Sequence, residues 1–123
     1  VSLVFAFADS ELAFAQAEGD ALTLHFAAAA VARDGEAGWL PGLRLVLEGA
    51  HWTGDPAECL GRLRDGTLAD AASRFSRLPL PFDGPGPWLA DFGFAHDVHL
   101  HVDARHARVL LRADAPWRPS SAC

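Results

Sequence analysis

Apolar residues fall at every second position over long stretches of this chain, the period of strands with one face in a core and the other in water. Residues 1–8 alternate Leu3, Phe5 and Phe7 with smaller side chains, and Asp9-Ser10 then predicts a turn. Residues 11–17 put Leu12 and Phe14 on one face. Glu18-Gly19-Asp20 reverses the chain, and residues 21–31 align Leu22, Leu24 and Phe26, so these two segments predict a hairpin. Thr23 and His25 fall on its wet face.

Asp34-Gly35 and Trp39-Leu40-Pro41-Gly42 are loop signals, and residues 43–51 resume alternation through Leu43, Leu45 and Leu47. Asp55-Pro56 followed by Glu58 has the order of a helix start, Asp as cap and Pro first, and Gly61 limits that helix to about one turn. Asp65-Gly66 is a hairpin-turn dipeptide. Leu68, Ala71, Ala72 and Phe75 have helical spacing and predict a short helix over residues 67–76. The two prolines in residues 78–82 hold that stretch extended.

Residues 83–87, Asp-Gly-Pro-Gly-Pro, read as an internal loop. Residues 88–95 then form a strand with Trp88, Ala90, Phe92 and Phe94 on one face, and residues 98–103 alternate through Val98, Leu100 and Val102. With Ala104-Arg105 as a two-residue turn, a last strand over residues 107–113 sets Leu100 against Val109 and Val98 against Leu111. The expected architecture is mainly β: an antiparallel sandwich or partly closed barrel of roughly eight strands built from hairpins, with at most one short helix. Residues 1–115 form a single domain and residues 116–123 a flexible tail. No solenoid-length repeat is present.

Composition narrows the function classes more than it selects one. The chain has 123 residues, enough for one core without disulfide staples, and its 50% hydrophobic and 21% charged content is that of a globular domain. The longest apolar run, residues 26–32, is too short to span a bilayer as a helix. The net charge is −6, and all ten basic residues are arginines scattered along the chain, which disfavours nucleic acid as a partner. Lys, Asn, Ile, Tyr and Met are absent while Ala, Gly, Arg, Leu and Asp abound, a bias that reads as a GC-rich bacterial genome. Leu and Ala therefore occupy positions that Ile and Val would ordinarily take in strands. The cysteines, Cys59 and the terminal Cys123, have no spacing that predicts a disulfide, and with no secretory signal visible the reducing cytoplasm is the expected compartment.

Four of the six histidines lie in residues 96–106. On a strand, Asp97, His99, His101 and Asp103 share one face while Val98, Leu100 and Val102 take the other. Imidazole nitrogens and carboxylate oxygens in a row suit a divalent transition metal, so His99, His101 and Asp103, with Asp97 as an alternative ligand and His106 or His25 as a further one, form a candidate metal site. His99-x-His101-x-Asp103 resembles the first metal motif of the metallo-β-lactamase superfamily, and His99-x-His101 is similar to the cupin pair. The first resemblance covers residues 99–103 only, and Ala104 stands where that family has another His. For the second, Asp114 is the sole acidic residue beyond His106. The competing reading is a solvated polar face in which Asp97 pairs with Arg112 and His101 with Arg108 across the expected turn.

Other chemistry is thinly represented. Ser73 and Ser76 lack a nucleophile elbow, Cys59 has no neighbouring histidine, and no glycine-rich phosphate loop is spelled. Trp39, Trp52, Trp88 and Trp117 fall at expected strand ends or loops. The first three, with His51, are candidate interaction residues. The function expected on these grounds is non-enzymatic binding of a protein partner, self-association included, with no membrane, nucleic acid or cofactor. The alternative is a small metal-binding protein or metal-dependent enzyme working from the His99, His101 and Asp103 face.

Overall fold

The computed structural model describes residues 1–122, the side chain of Ala122 excepted. Cys123, half of the expected unpaired cysteines, lies outside them. The described residues form strands β1 (Leu3–Glu18), β2 (Ala21–Arg33), β3 (Gly38–Leu40), β4 (Arg44–Glu48), β5 (His51–Thr53), β6 (Gly61–Ala69), β7 (Arg74–Phe75), β8 (Arg77–Leu80), β9 (Asp83–Phe94), β10 (His99–Leu110) and β11 (Arg118–Pro119). Every pairing among them is antiparallel. The order β2-β4-β10-β9-β6-β1 returns to β2, which closes a six-stranded barrel. No helix among the described residues is long and apolar enough to cross a membrane.

Most of the expected alternations fill the barrel; Phe14, expected beside Leu12, is instead exposed and stacked on His25, because the β1–β2 register shifts between Leu12 and Phe14. Phe5, Phe7, Leu22, Leu24, Leu43, Leu45, Leu47, Phe92 and Phe94 are all buried, and Phe7 meets both Phe5 and Phe92 edge to face, with centroids 5.1 and 5.5 Å away. In each pair the positive edge of one ring meets the negative face of the other. Beyond one end of the barrel the β1–β2 ribbon continues and gains β8 on one side and β3 with β11 on the other. Among the described residues, each of the two outer strands pairs on one side only, and each carries a proline, Pro79 and Pro119. Such edges resist the addition of another strand.

Four expected chain reversals are absent, and each failed for a tertiary reason. Asp9-Ser10 bends β1 without turning it. From Ala6↔Ala30 to Glu11↔Ala28, β1 advances five residues and β2 two, so three extra residues form a bulge. Asp9 adopts φ 69°, and the buried Ser10 hydroxyl donates to the Ala6 carbonyl at 2.7 Å and accepts from the Ala30 N–H at 2.8 Å. Gly66 lies inside β6, where a Cβ would come within 2.7 Å of Phe7 Cβ; this glycine serves close packing. The helix expected over residues 67–76 is likewise absent. Leu68 pairs with Ala90 and with Phe75, and the Asp70 carboxylate accepts from the Ala72 and Ser73 N–H groups in the short connection between β6 and β7.

Residues 83–87 open β9 instead of forming a loop, with Asp83, Gly84 and Pro85 opposite Arg108, Ala107 and His106. The chain also does not turn at Ala104-Arg105. β10 runs through as one strand because Ala104 is buried opposite Trp88, and a bulge there places both Arg105 and His106 outside the core. Of the strand expected over residues 107–113, residues 107–110 are the second half of β10, which ends at Leu110. Leu100 therefore faces Phe92, not Val109. In the segment expected as a tail, Arg118 and Pro119 pair with β3, and the Trp117 indole N–H donates to the Val31 carbonyl at 2.8 Å. The helix start at Asp55-Pro56 appears as one 3-10 turn, Pro56–Glu58, capped by Asp55.

Candidate functional site

The histidines face outward on the barrel wall, and most have a neighbour of their own. His101 stands opposite Asp91 on β9 and donates from Nδ1 to the Asp91 carboxylate at 2.6 Å. That bond holds the His101 pKa above its ordinary value; slight desolvation opposes it, and the Asp91 and Asp103 charges add to it. His106 donates to Asp83. His96 donates to the Glu58 carbonyl at 3.2 Å. His25 bonds Gln16 at 3.1 Å and stacks on Phe14, and burial, then the charge of Arg44, lowers its pKa.

His99, His101 and Asp103 thus share an outer face, as the strand period requires, but point in parallel along it. Among the described residues no three His, Cys, Asp or Glu side chains are grouped so as to hold a metal ion. The cross-strand partners differ from those of the expected turn as well. His101 faces Asp91 and Thr53, not Arg108, and the Asp97 carboxylate accepts from Arg64 at 3.3 Å, not from Arg112. The cause is the continuous β10, which removes the hairpin that would have paired residues 97–101 with 108–112.

The four candidate interaction residues are dispersed. Trp88 is buried, donates its indole N–H to the Gly84 carbonyl at 3.0 Å and packs against Phe75 and Phe82, so it belongs to the core. Trp52 and His51 lie on β5 against β10, Trp52 half-buried on the core and His51 exposed opposite Asp103. Trp39, on β3, is half-buried and lines a concavity. Cys59 is fully buried, donates to the Asp55 carbonyl, and burial pushes its thiol up to about 11, which leaves it protonated and unreactive at neutral pH.

That concavity is a trough of about 680 Å³ over the outer face of β1 and β2. Its floor is Ala6, Ala8 and Ala30, and it continues past Ala32 and Val4 into a second hollow of about 360 Å³ that shares Ala6, Ala30 and Arg77. Trp39 belongs to one wall, on β3. Arg62, Asp65 and Thr67 from β6 and Ser76 and Arg77 at β8 form the other. The bulge in β1 brings Asp9 to the rim. Among the described residues neither Arg62 nor Arg77 has an ion pair or hydrogen bond through its guanidinium, whereas Asp65 has Arg64 at 3.7 Å. Next to the rim, Gly93 lets the Asp65 carboxylate and the His99 ring sit close to the backbone, where a Cβ would lie 2.6 Å from Asp65 Oδ1.

Sequence reasoning did not single out Arg62, Arg77 or Thr67, took Asp9 and Asp65 only as turn residues, and weighed Ser76 only as a nucleophile. One signal was present in the hairpin itself. Phe5, Phe7, Leu24 and Phe26 fill its inner face, yet its outer face is also apolar, through Val4, Ala6, Ala8, Ala30 and Ala32. A strand apolar on both faces is covered by something on each. No family model, no curated protein and no solved structure matches the chain.

Proposed function

We propose that this chain is a non-enzymatic binding protein whose contact surface is the trough over β1 and β2. One observation carries the reading: two guanidinium groups, Arg62 and Arg77, stand without partners among the described residues beside a floor of alanines in a concavity of about 680 Å³. Small-ligand sites typically measure ~300–1,000 Å³ and combine an apolar lining with a few polar groups that fix orientation. Small side chains on the floor leave the space to the guest. Catalysis would need a nucleophile or acid–base group activated by a neighbour. The Ser76 and Thr67 hydroxyls have no such side-chain partner among the described residues. The prolines at both sheet edges favour recognition on this face over association through added strands.

The test is a two-dimensional NMR screen of the isotope-labelled protein against mixed neutral, zwitterionic and charged small molecules. Amide shifts clustered at Ala6, Ala30, Gly66, Thr67 and Arg77, weakened in an Arg62→Ala/Arg77→Ala double variant that retains its fold, are expected. Shifts confined to the histidine face of β10, or binding unchanged in the double variant, would refute the proposal.

A further inference from the structure

Resting on that reading, we infer that the trough takes a neutral, hydroxyl-rich ligand, an oligosaccharide of uncharged sugar units. The charges on its lining cancel: Arg62 and Arg77 against Asp9 and Asp65. A polyanion meets the two carboxylates and the field of a chain of net charge −6, and a polycation meets the two arginines. Donors and acceptors nevertheless crowd the site. A guanidinium is donor-only, an ionised carboxylate is acceptor-only, and the hydroxyls of Thr67 and Ser76 do both. The guest complementary to such a mixture offers donor and acceptor capacity on the same neighbouring atoms without net charge, as vicinal hydroxyls do. Trp39 adds an indole to the wall, and the electron-rich face of such a ring suits the polarised C–H groups of a sugar.

A peptide guest fits less well. Over the floor, residues 3–6 of β1 are already paired with β2 on one side and β8 on the other, so no free ladder remains for an extended peptide to join. Recognition must come from side chains alone. The trough continues into the second hollow through Ala6, Ala30, Ala37, Gly38 and Arg77, which favours a guest of linked rings over a single one.

The experiment follows amide shifts of the full chain during titration with maltotriose, cellotriose, xylotriose and N,N′,N″-triacetylchitotriose to about 10 mM, beyond the millimolar affinities of weak sites. A sulfated disaccharide and an acidic hexapeptide serve as charged probes. Saturable shifts at Gly66, Thr67 and the Trp39 indole with at least one neutral trisaccharide are expected. Asp65→Asn and Arg62→Ala should each weaken that binding about tenfold, the loss of one hydrogen bond to a charged group. Asp65→Asn preserves side-chain shape and serves where truncation disturbs the fold. Trough shifts with the charged probes and none with the neutral sugars would overturn the sugar assignment and leave the trough as a binding site. No trough shift with any probe would overturn both.

Discussion

The Ser10 hydroxyl holds the bulge that shapes the trough. It is fully buried and satisfies two backbone groups that the β1–β2 ladder abandons, the Ala6 carbonyl and the Ala30 N–H, at 2.7 and 2.8 Å. Ser10→Ala removes both bonds. A carbonyl has a second lone pair and tolerates the loss, but the N–H has a single proton to donate. Leaving a buried donor unsatisfied costs about 1–3 kcal/mol, so with the carbonyl's share the variant should lose about 2–3 kcal/mol. With a urea m-value of roughly 1–3 kcal/mol per molar, the unfolding midpoint should fall by about 1 M. The measurement is urea unfolding followed by tryptophan fluorescence, beside an exposed control, Ser121→Ala. A Ser10→Ala midpoint within about 0.2 M of the parent would mean that the hydroxyl does not hold the bend, and the account of β1 would fail.

Other consequences are equally open to measurement. Gly54 has φ 118°, and a Cβ there would lie 2.6 Å from the His99 carbonyl oxygen; Gly54→Ala should therefore cost about 2–4 kcal/mol. Gly19→Ala, at φ 60° with no atom within 4 Å, should cost only about 1 kcal/mol in the same denaturation assay. An NMR pH titration should show the two perturbed histidines moving oppositely. The His101 pKa lies above the ordinary ~6.5, so its contribution to stability is complete below the unfolded value and fades as pH rises through the folded one. His25 lies below ~6.5, so its contribution is lost as pH falls. Asp91→Asn should bring His101 back toward the ordinary value, and an unchanged midpoint would refute the pairing. Cys59, buried with its thiol at about 11, should resist iodoacetamide at pH 8 in the native protein and react in denaturant, as read by mass spectrometry of the Cys59 peptide.

Much of the strand content lay open in the sequence because burying one face of a strand is a local property with a fixed period. Leu22, Leu24 and Phe26, or Phe92 and Phe94, needed only their spacing to be placed in a core. The outward direction of His99, His101 and Asp103 followed from the same period, and so did the one-turn Asp55-Pro56 start. The places where the reading failed are those where the same local chemistry serves two geometries. Asp-Ser, Asp-Gly, Gly-Pro-Gly-Pro and Ala-Arg all suit a turn, and each lies inside a strand here. What decided them was distant: Phe7 against Gly66, Trp88 opposite Ala104, and Ala30 reaching for Ser10.

The candidate site follows the same division. Its alanine floor was written into one hairpin, in residues 4–8 and 28–32, and was legible as a strand pair apolar on both faces. Its polar wall was not. Arg62, Asp65, Thr67, Ser76 and Arg77 reach that floor only after β6 and β8 have paired with β1, across separations of about fifty to eighty residues. The sequence alone therefore determined most of the residues that enter the core of an antiparallel β protein, because hydrophobic burial acts residue by residue at a period of two; Phe14 and Leu111, which that period also placed inward, are exposed. Barrel closure, the straight passage of β10 and the gathering of the trough were decided by tertiary structure, because each depends on which strand meets which.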